Sequence, residues 1–547
     1  MRVLLLSALV MCAQGQISPP RVGVGITQRK LSLEEAVQTA LKNNLEIEIE
    51  KTAQASAHEA IRGALGFLDP NFRWQPSAET RNTPTSSVLA SSTGKITENS
   101  WVQNFYFRQR TPWQGMSFRV DFENSRLATN NPFVGLTPYI TPRFTAGLTL
   151  PLLRDRLIDQ DRAQLTIRRK QADVSDASFA LRVIDVIARV EQAYYDLVAA
   201  RADLVVEGES VDLAREQLDR TRRMIASGTV APVELAAAEA ELERRKDTYF
   251  TALTQLTAAE NALKLLLAAG RDEDLWKDEV IPTSDRKAEM PAAAASDLSE
   301  LVNSSLGRRV ELKVLELSRR INAVQKQSAL NQRKVQLNLT AAYVSTGLAG
   351  AILQTENPFA SSQAVLVQRL NDLSVAAGLD PITVNMTGGA VPSDFVGGYG
   401  QSLSNLFSGR FSTFSGGLTL DWTPRNNAAE SALAQTAITE RKIGLERRQM
   451  EQAIAAQVRN ALQAVLTSQQ RIAAAEASAR AAREKLDSET RLFQTGESTN
   501  FFVLTRQNEL ADSRRRLVLA TAEYNKSVAR FEVALGKTLE EYRITLK

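Results

Sequence analysis

Apolar and small residues recur at alternating intervals of four and three, or at their sum of seven, through two long segments of the chain. In the first segment they are Val183, Ile187, Val190, Tyr194, Leu197, Leu204, Val211 and Leu218. In the second they are Ile454, Val458, Ala461, Val465, Ser468, Ile472, Ala475, Ala479, Ala482, Leu486 and Phe493. A repeat of 3.5 residues is the seam of a coiled coil. The pattern predicts two long helices, 155–227 and 427–495, each about 100–110 Å long at ~1.5 Å per residue.

Other segments alternate between apolar and polar side chains, which is typical of a strand with two unlike faces. These segments are 71–80, 101–108, 115–123, 144–150, 335–345 and 411–422. In the first of them, Phe72 and Trp74 alternate with Arg73 and Gln75. We expect the polar faces to line water and the apolar faces to meet lipid or a neighbouring protein surface. Whether 101–108 and 115–123 enter a barrel formed by the other strands or fold over it is left open by the sequence.

One structural plan is written twice along the chain. The stretch RMIASGTVAPVELAAAEAEL at 223–242 returns as RLFQTGESTNFFVLTRQNEL at 491–510. A second echo pairs LSLEEAVQTALKNNLEIE, which begins at residue 31, with SDLSELVNSSLGRRVELK, which begins at residue 296. Each copy of the second echo opens with a capping box, Ser32 with Glu35 and Asp297 with Glu300. The two pairs of similar segments are separated by nearly the same number of residues, which indicates an internal duplication.

The duplication divides the chain into a first repeat at 16–270, a linker at 271–295 and a second repeat at 296–547. In the first repeat we predict a helix at 31–65, a β region at 71–150, the long helix at 155–227 and a helix at 232–269. In the second we predict a helix at 297–330, a β region at 335–422, the long helix at 427–495 and a helix at 500–535.

The first residues, MRVLLLSALVMCAQGQ, have the pattern of a secretory signal peptide. Ala13 and Gly15 occupy the small-residue positions, so we expect a signal peptide at 1–15 and an exported chain. The alternative is a lipoprotein acylated on Cys12, although Met11 just before it is larger than that signal favours. Cleavage after Gly15 removes the chain's one cysteine, so we expect no disulfide in the mature protein.

The remaining composition argues against several classes of function. The 66 basic and 62 acidic residues are spread along the chain, without the basic patch that nucleic acid requires. The chain has one histidine, His58, and no phosphate-binding loop or nucleophile motif, so we expect no enzymatic activity, no cofactor and no metal site. Beyond the leader no apolar run reaches the 18 residues of a membrane helix.

Four or six strands are too few for one chain to close a barrel, and strand edges cannot stay open in a bilayer. We therefore expect several chains to pool their strands. The predicted fold class is an α+β membrane protein, in which duplicated coiled-coil hairpins form an α-barrel and antiparallel strands pooled between chains form a transmembrane β-barrel.

Nearly the whole chain resembles the TolC-like outer-membrane efflux protein family. LSLEEAVQTALKNNLEIEIE is similar to that family's first mature helix, and AIRGALGFLDPNFRW resembles its helix-to-strand junction. LTLPLLRD and LTLDWTPRNN resemble its strand-to-helix junctions, and RLFQTGESTNFFVL resembles its helix tip. The resemblance implies a homotrimer in outer-membrane lipid with its helical part in the periplasm. It further implies a periplasmic adaptor (membrane fusion) protein and an inner-membrane pump as partners, in tripartite efflux or type I secretion.

The same resemblance places two helix tips at the periplasmic end of the tunnel. Gly228 and Gly496 are the expected turn residues, in the left-handed conformation that ends a helix. With Val230 and Phe501 they are the residues that we expect to form the tip turns and to contact the adaptor.

At the second tip the sequence departs from the family pattern. Phe502 and Thr505 stand where acidic residues can ring the closed aperture, and Glu234 of the first tip retains one acidic position. We expect Glu234, Phe502 and Thr505 to form the aperture constriction. For Phe501 and Phe502 the alternative is that they staple the hairpin or meet the adaptor.

Two other functions fit parts of the pattern. A structural or adhesive coiled-coil surface protein would use the strands as a small head domain. A periplasmic adaptor also has coiled-coil hairpins, but it should carry one hairpin and compact β domains. The sequence does not indicate the exported substrate or the pump family.

Overall fold

The computed structural model describes residues 21–22, 25, 27–87, 90–91, 93–228, 231–271, 274–284, 290–353, 358–382 and 391–544. The predicted leader with Cys12, and Val230 at the first tip, lie outside the described residues. The chain divides into two compact units. Among the described residues, those up to 58, those within 170–320 and those from 440 onward form a helical unit, and those within 59–169 and 321–439 form a sheet unit.

Most of the described chain is helical. The helices are α1 (Leu33–Asn43), α2 (Leu45–Leu65), α3 (Gln160–Ala226), α4 (Val233–Leu267), α5 (Leu298–Arg308), α6 (Val310–Gln332), α7 (Pro358–Ala376), α8 (Tyr399–Phe407), α9 (Asn427–Thr495), α10 (Asn500–Leu535) and α11 (Thr538–Glu541). The long helices α3 and α9 have 67 and 69 residues. No helix in the described part of the chain has an apolar stretch long enough to cross a membrane.

The coiled-coil periodicity identifies residues that are buried in the helical unit. Val183, Ile187, Val190, Tyr194 and Leu197 are almost fully buried in one cluster. Ile454, Val458, Val465 and Ile472 are buried in a second cluster with residues of α10. Both seams therefore pack as the spacing predicts, because residues three and four apart lie on the same face of a helix.

Three predicted helix boundaries differ from the structure. The long helix predicted to begin at 155 begins at Gln160, because the Asp159 carboxylate caps it by accepting from the amide of Arg162 at 2.7 Å. Asp155 has a φ of +65° and lies before the helix. The predicted helix 31–65 is broken at Asn44, whose side chain accepts hydrogen bonds from the amides of Glu46 (2.9 Å) and Ile47 (3.3 Å) and so starts α2 as a new helix. The helix predicted at 297–330 is also broken, at the duplicated position Arg309, which has the same extended backbone as Asn44. The Arg309 guanidinium cannot accept a hydrogen bond and instead donates to the Glu311 carboxylate at 2.7 Å.

The capping box predicted at Ser32 is confirmed, whereas the N-cap bond at Asp297 is made to a different amide from the predicted one. At Ser32 both reciprocal bonds with Glu35 are present. At Asp297 the carboxylate accepts from the amide of Ser299 at 3.2 Å, one residue before the predicted Glu300. An N-cap side chain can accept from either the second or the third amide of a helix, because neither amide has a hydrogen-bond partner within the helix.

The predicted linker forms part of the helical unit. Its strand β6 (Glu279–Pro282) pairs in parallel with β1 (Gln28–Leu31). Beneath β6, the fully buried Lys264 lies 2.7 Å from the carboxylate of Glu260 and donates to the carbonyl of Asp278 at 2.5 Å. A buried ammonium needs such partners, so these bonds hold the linker against α4.

The sheet unit contains a seven-stranded antiparallel sheet. Its strands are β2 (Asn71–Pro84), β3 (Lys95–Arg110), β4 (Ser117–Thr129), β5 (Leu136–Pro151), β7 (Gln336–Thr346), β8 (Ala349–Ile352) and β9 (Ser412–Asp421). They follow the order β2-β3-β4-β5-β7-β9, and β8 pairs with β5. The segment 101–108 lies within β3, and most of the segment 115–123 lies within β4, so both belong to this sheet.

The predicted β region 335–422 also contains the helices α7 and α8, in addition to its strands. Gly347 explains how α8 packs so closely on the sheet. A Cβ atom at residue 347 would lie 2.1 Å from the carbonyl oxygen of Ser402. Only glycine allows the two backbones to approach in this way.

Candidate functional site

The register of the sheet separates two unlike faces. One line of directly opposed residues crosses the six strands from β2 to β9 and leaves out only β8. It consists of Phe72, Phe107, Val120, Ala146, Tyr343 and Phe414. Directly opposed side chains lie on the same face of a sheet. The apolar positions that the alternation predicted on separate segments therefore form one continuous apolar face.

This apolar face is exposed in the single chain. Phe72 is 77% and Phe414 is 80% accessible, at the two ends of the line. Between them, neighbouring rings are in contact, with centroids of Phe72 and Phe107 4.7 Å apart and those of Tyr343 and Phe414 4.8 Å apart. An aromatic face of this extent is typical of a surface that meets lipid or another protein.

The opposite face carries the polar side chains. Arg73, Tyr106 and Asp121 are opposed across β2, β3 and β4, and Arg119 Nε lies 3.9 Å from the Asp121 carboxylate. At the other edge, Thr340 Oγ1 of β7 donates to the carbonyl of Gly417 at 3.2 Å. The sheet is therefore amphipathic, as the sequence predicts.

The first helix tip lies at the end of α3. Gly228 has a φ of +76°, and its amide donates to the carbonyl of Ile225 at 3.0 Å. A residue with a Cβ would be strained in this left-handed conformation, so glycine is required to end the helix here.

The second tip repeats this turn at the end of α9. Gly496 has a φ of +81°, the Gly496 amide donates to the carbonyl of Phe493 at 3.3 Å, and the Glu497 amide donates to that of Leu492 at 2.9 Å. These two bonds are the Schellman motif. The predicted conformation of both glycines is confirmed, and it explains why glycine recurs at this spacing.

Polar contacts join the two tips within the helical unit. Asn500, 3% accessible, donates to the Glu234 carboxylate at 3.3 Å. Gln217 of α3 donates to the Asn500 side-chain oxygen at 2.5 Å. The sequence analysis missed Asn500 and Gln217. The available signal was the position of Asn500, a polar residue directly after the tip turn and three residues before the apolar Val503.

The aromatic residues of the second tip point outward. Phe501 is 68% and Phe502 is 47% accessible, and their ring centroids are 5.7 Å apart. The next residue, Val503, is buried against Phe493 and Leu486 and joins the two helices of the hairpin. Val503 therefore provides the apolar contact that was the alternative role for Phe501 and Phe502.

Thr505, one turn further along α10, is partly buried. Its hydroxyl donates to the carbonyl of Phe501 at 2.8 Å, a bond within its own helix. The structure thus brings Glu234 into contact with the residue before Phe501, whereas Thr505 bonds only within α10 in the contacts described.

The remaining candidates for a chemical site in the described residues are a metal-binding group and the histidine. No group of three or more His, Cys, Asp or Glu side chains there is arranged to hold a metal ion. His58 lies on the surface of the helical unit, with Nε2 3.1 Å from the Asp176 carboxylate. Such a pair is ordinary for a surface histidine beside an acid.

The duplicated helical hairpins and the two-faced sheet can now be compared with known proteins. The sequence matches the family model described as "Outer membrane efflux protein" over residues 118–269 and 393–537, more than half of the chain. The chain belongs to the outer membrane efflux protein family. The predicted family is confirmed, and membership favours efflux over both alternative functions.

Solved structures of outer-membrane channels share the fold of this efflux protein. The outer membrane protein VceC of Vibrio cholerae is 14% identical, with a TM-score of 0.58 over 92% of this chain and 96% of that chain. The Campylobacter jejuni CmeC outer membrane channel is 15% identical, with a TM-score of 0.60 over 92% and 85%. The open-state Neisseria gonorrhoeae MtrE outer membrane channel is 15% identical, with a TM-score of 0.58 over 92% and 88%. A comparison with curated proteins finds no match.

These comparisons confirm the TolC-like α+β fold class. They also agree with the predicted location, since members of the family are channel proteins of the outer membrane. This efflux protein is therefore an outer-membrane protein.

Proposed function

We propose that this efflux protein is the exit duct of a tripartite efflux or type I secretion system. Three copies pool their strands into one barrel in the outer membrane, and their long helices form a tunnel through the periplasm. The duct is passive and catalyses no reaction. The observation that carries the proposal is the two-faced sheet, because an exposed apolar face backed by a polar one suits a wall between lipid and water.

The location and assembly are tested by fractionation and cross-linking of the full-length protein. We expect it in outer membranes, released only by detergent, and an amine-reactive cross-linker should yield covalent trimers. Recovery of the mature chain without detergent would support the coiled-coil surface protein instead. A monomer in cross-linked membranes would contradict the duct.

The helix tips are the proposed contact with the periplasmic adaptor, which joins the duct to an inner-membrane pump. The residues are Gly228, Val230, Gly496 and Phe501. Exposure of Phe501 beyond the buried Val503 supports this role, because exposed aromatic residues are enriched in protein interfaces.

A photo-reactive amino acid in place of Phe501 tests the contact. We expect it to capture a periplasmic adaptor in intact cells. Leu519 is the matched control, since it is half exposed on the same helix but lies away from the tip. Equal capture from both positions, or none from position 501, would contradict adaptor docking at the tip.

The proposed aperture constriction consists of Glu234, Phe502 and Thr505. The Asn500 bond holds the Glu234 carboxylate at the tip, and Phe502 exposes an apolar ring on the adjacent turn. Apolar constrictions close a pore by excluding water. The tunnel is therefore closed by Phe502 packing, with Glu234 supplying the remaining charge.

Planar-bilayer recordings test this closure. Phe502→Ser should raise the resting conductance, because a hydroxyl group admits water where the ring excluded it. Leu519→Ser, a change of similar polarity on the same helix, should leave it unchanged. A Phe502→Ser trimer that is folded and as closed as the wild type would contradict the constriction.

A further inference from the structure

The hairpin formed by β3 and β4 is an integral part of the sheet. β2 pairs with β3 without interruption from Asn71 with Arg108 to Pro84 with Lys95. β4 in turn pairs with β5 from Ser117 with Thr149 to Leu127 with Tyr139. The hydrogen-bonded path from β2 to β5 therefore passes through this hairpin. With β2, β5, β7 and β9 it makes six strands in all.

The hairpin also continues both faces of the sheet. The rings of Phe105 and Phe122 lie 6.5 Å apart on the apolar face, and Trp74 of β2 stacks on Phe105 at 6.3 Å. On the other face Tyr106 is opposed to Asp121. A hairpin folded over the outside of a wall would not need to match the wall on both faces.

Each of the two edge strands has one unpaired edge in the single chain. Every residue of β2 is exposed, as is every residue of β9 except Ser412. Strand edges in a bilayer must be paired, and six strands are fewer than the ~8 of the smallest barrels. Because six is an even number and all neighbours are antiparallel, β9 of one chain meets β2 of a second copy in the antiparallel sense as well.

The boundary between β9 of one chain and β2 of the next is here called the strand seam. The stagger of the strands limits the registers that this seam can have. Following the opposed residues across the sheet, Asn71 is level with Ser415, which is six residues before Asp421. At ~3.3 Å per residue and ~4.8 Å between strands, six residues over five steps correspond to a tilt of about 40°. Closed barrels tilt by ~35–45°, so the sheet already has the stagger of a barrel wall.

Charge complementarity selects one seam within that range. Arg73 on β2 and Asp421 on β9 are exposed on the same polar face, and within the described residues neither has an ion-pair partner in the chain. If they are opposed across the seam, the stagger becomes eight residues over six steps and the tilt about 43°. A shift of two residues either way gives about 35° or 49°.

We propose that each chain contributes six strands, so that three copies form an eighteen-stranded wall in which Arg73 of one chain is opposed to Asp421 of the next. The inference rests on the proposed trimer. The wall would be about 35–40 Å across, compared with about 25 Å for four strands per chain at the same tilt. Barrels of 16–18 strands enclose a water-filled channel, so the outer part of the duct is wide enough for large hydrated solutes.

Engineered cysteines test the seam, since the one native cysteine lies in the predicted leader. Oxidation of the double variant Arg73→Cys with Asp421→Cys in membranes should give disulfide-linked dimers and trimers. Tyr106→Cys with Asp421→Cys is the matched control, because Tyr106 is the same-face partner of Arg73 one strand further in. Intermolecular disulfides from residue 106 but not from residue 73 would overturn the seam.

Labelling with a membrane-impermeant maleimide tests the hairpin independently. Tyr106→Cys should react from the water-filled side, whereas Phe105→Cys should be protected by lipid. Equal labelling of both would place the hairpin outside the wall and overturn the six-strand count.

The amine-reactive cross-linking described above separates the two proposals. Covalent trimers without seam disulfides would overturn this inference and leave the proposed duct standing. Absence of trimers would remove both.

Discussion

Replacing Leu339 with arginine should destabilise the folded protein in a membrane. Leu339 is in β7 on the apolar face, opposed to Leu150 and Leu418. An arginine on the lipid-facing side of a barrel costs about 2–4 kcal/mol near the bilayer midplane. Since about 1.4 kcal/mol is a factor of ten, the folding equilibrium should fall by a factor of roughly 30 to 1,000.

The adjacent residue provides the matched control. Thr340 lies on the polar face, opposed to Thr149 and Gly417. An arginine there extends into water, so we expect a change within about 0.5 kcal/mol, as for other surface substitutions. Leu339→Ala measures how much of the effect of Leu339→Arg comes from the lost apolar side chain alone.

The assay is urea-dependent folding into lipid vesicles, followed by tryptophan fluorescence and by resistance of the trimer to protease. Leu339→Arg should lower the urea midpoint clearly, with Leu339→Ala between it and the wild type. If Leu339→Arg and Thr340→Arg shifted the midpoint equally, the two faces of the sheet would not meet different solvents, and the reasoning from the register would be refuted.

Two further predictions concern the helical unit. Gly496→Ala should destabilise the protein by about 1–2 kcal/mol in denaturant titrations, because alanine is strained at positive φ; Gly444→Ala, within a regular helix, should be neutral or stabilising by up to about 1 kcal/mol. Burial raises the pKa of Asp203, and the nearby Arg515 offsets this only in part. A carboxyl group with a raised folded pKa subtracts stability at neutral pH and ceases to do so as pH falls below its unfolded pKa. Asp203→Asn should therefore raise the thermal midpoint at pH 7, with the difference shrinking towards pH 4; a constant or reversed difference would contradict this.

Several elements of the fold depend on local sequence and were predictable from it. The seam through Val183 and Ile187 follows from helical periodicity, and the buried face of a helix is decided by residues within one or two turns. The left-handed conformations of Gly228 and Gly496 follow from the intrinsic freedom of glycine at the end of a helix. The family could also be identified from the sequence, because its local motifs are duplicated and occur in a particular order.

Other helix boundaries depend on contacts with residues that are distant in the sequence. The break at Asn44 arises because its side chain caps α2 and also donates to the carbonyl of Leu266 at 3.0 Å, a residue 222 positions away. Helix propensity near Asn44 contains no information about Leu266. The contact between Glu234 and Asn500 is similarly distant, at 266 positions, and periodicity could not reveal it.

The sequence by itself determined the two alternating faces of each strand, because successive side chains point to opposite sides of any extended chain. Only the tertiary structure decided which strands are neighbours, that β3 and β4 lie between β2 and β5, and how far each strand is staggered against the next. Strand pairing joins backbone groups that are alike in every residue except proline, so alternation cannot distinguish one antiparallel partner from another. The choice is made by the packing of particular side chains across the sheet, such as Phe72 on Phe107 and Tyr343 on Phe414.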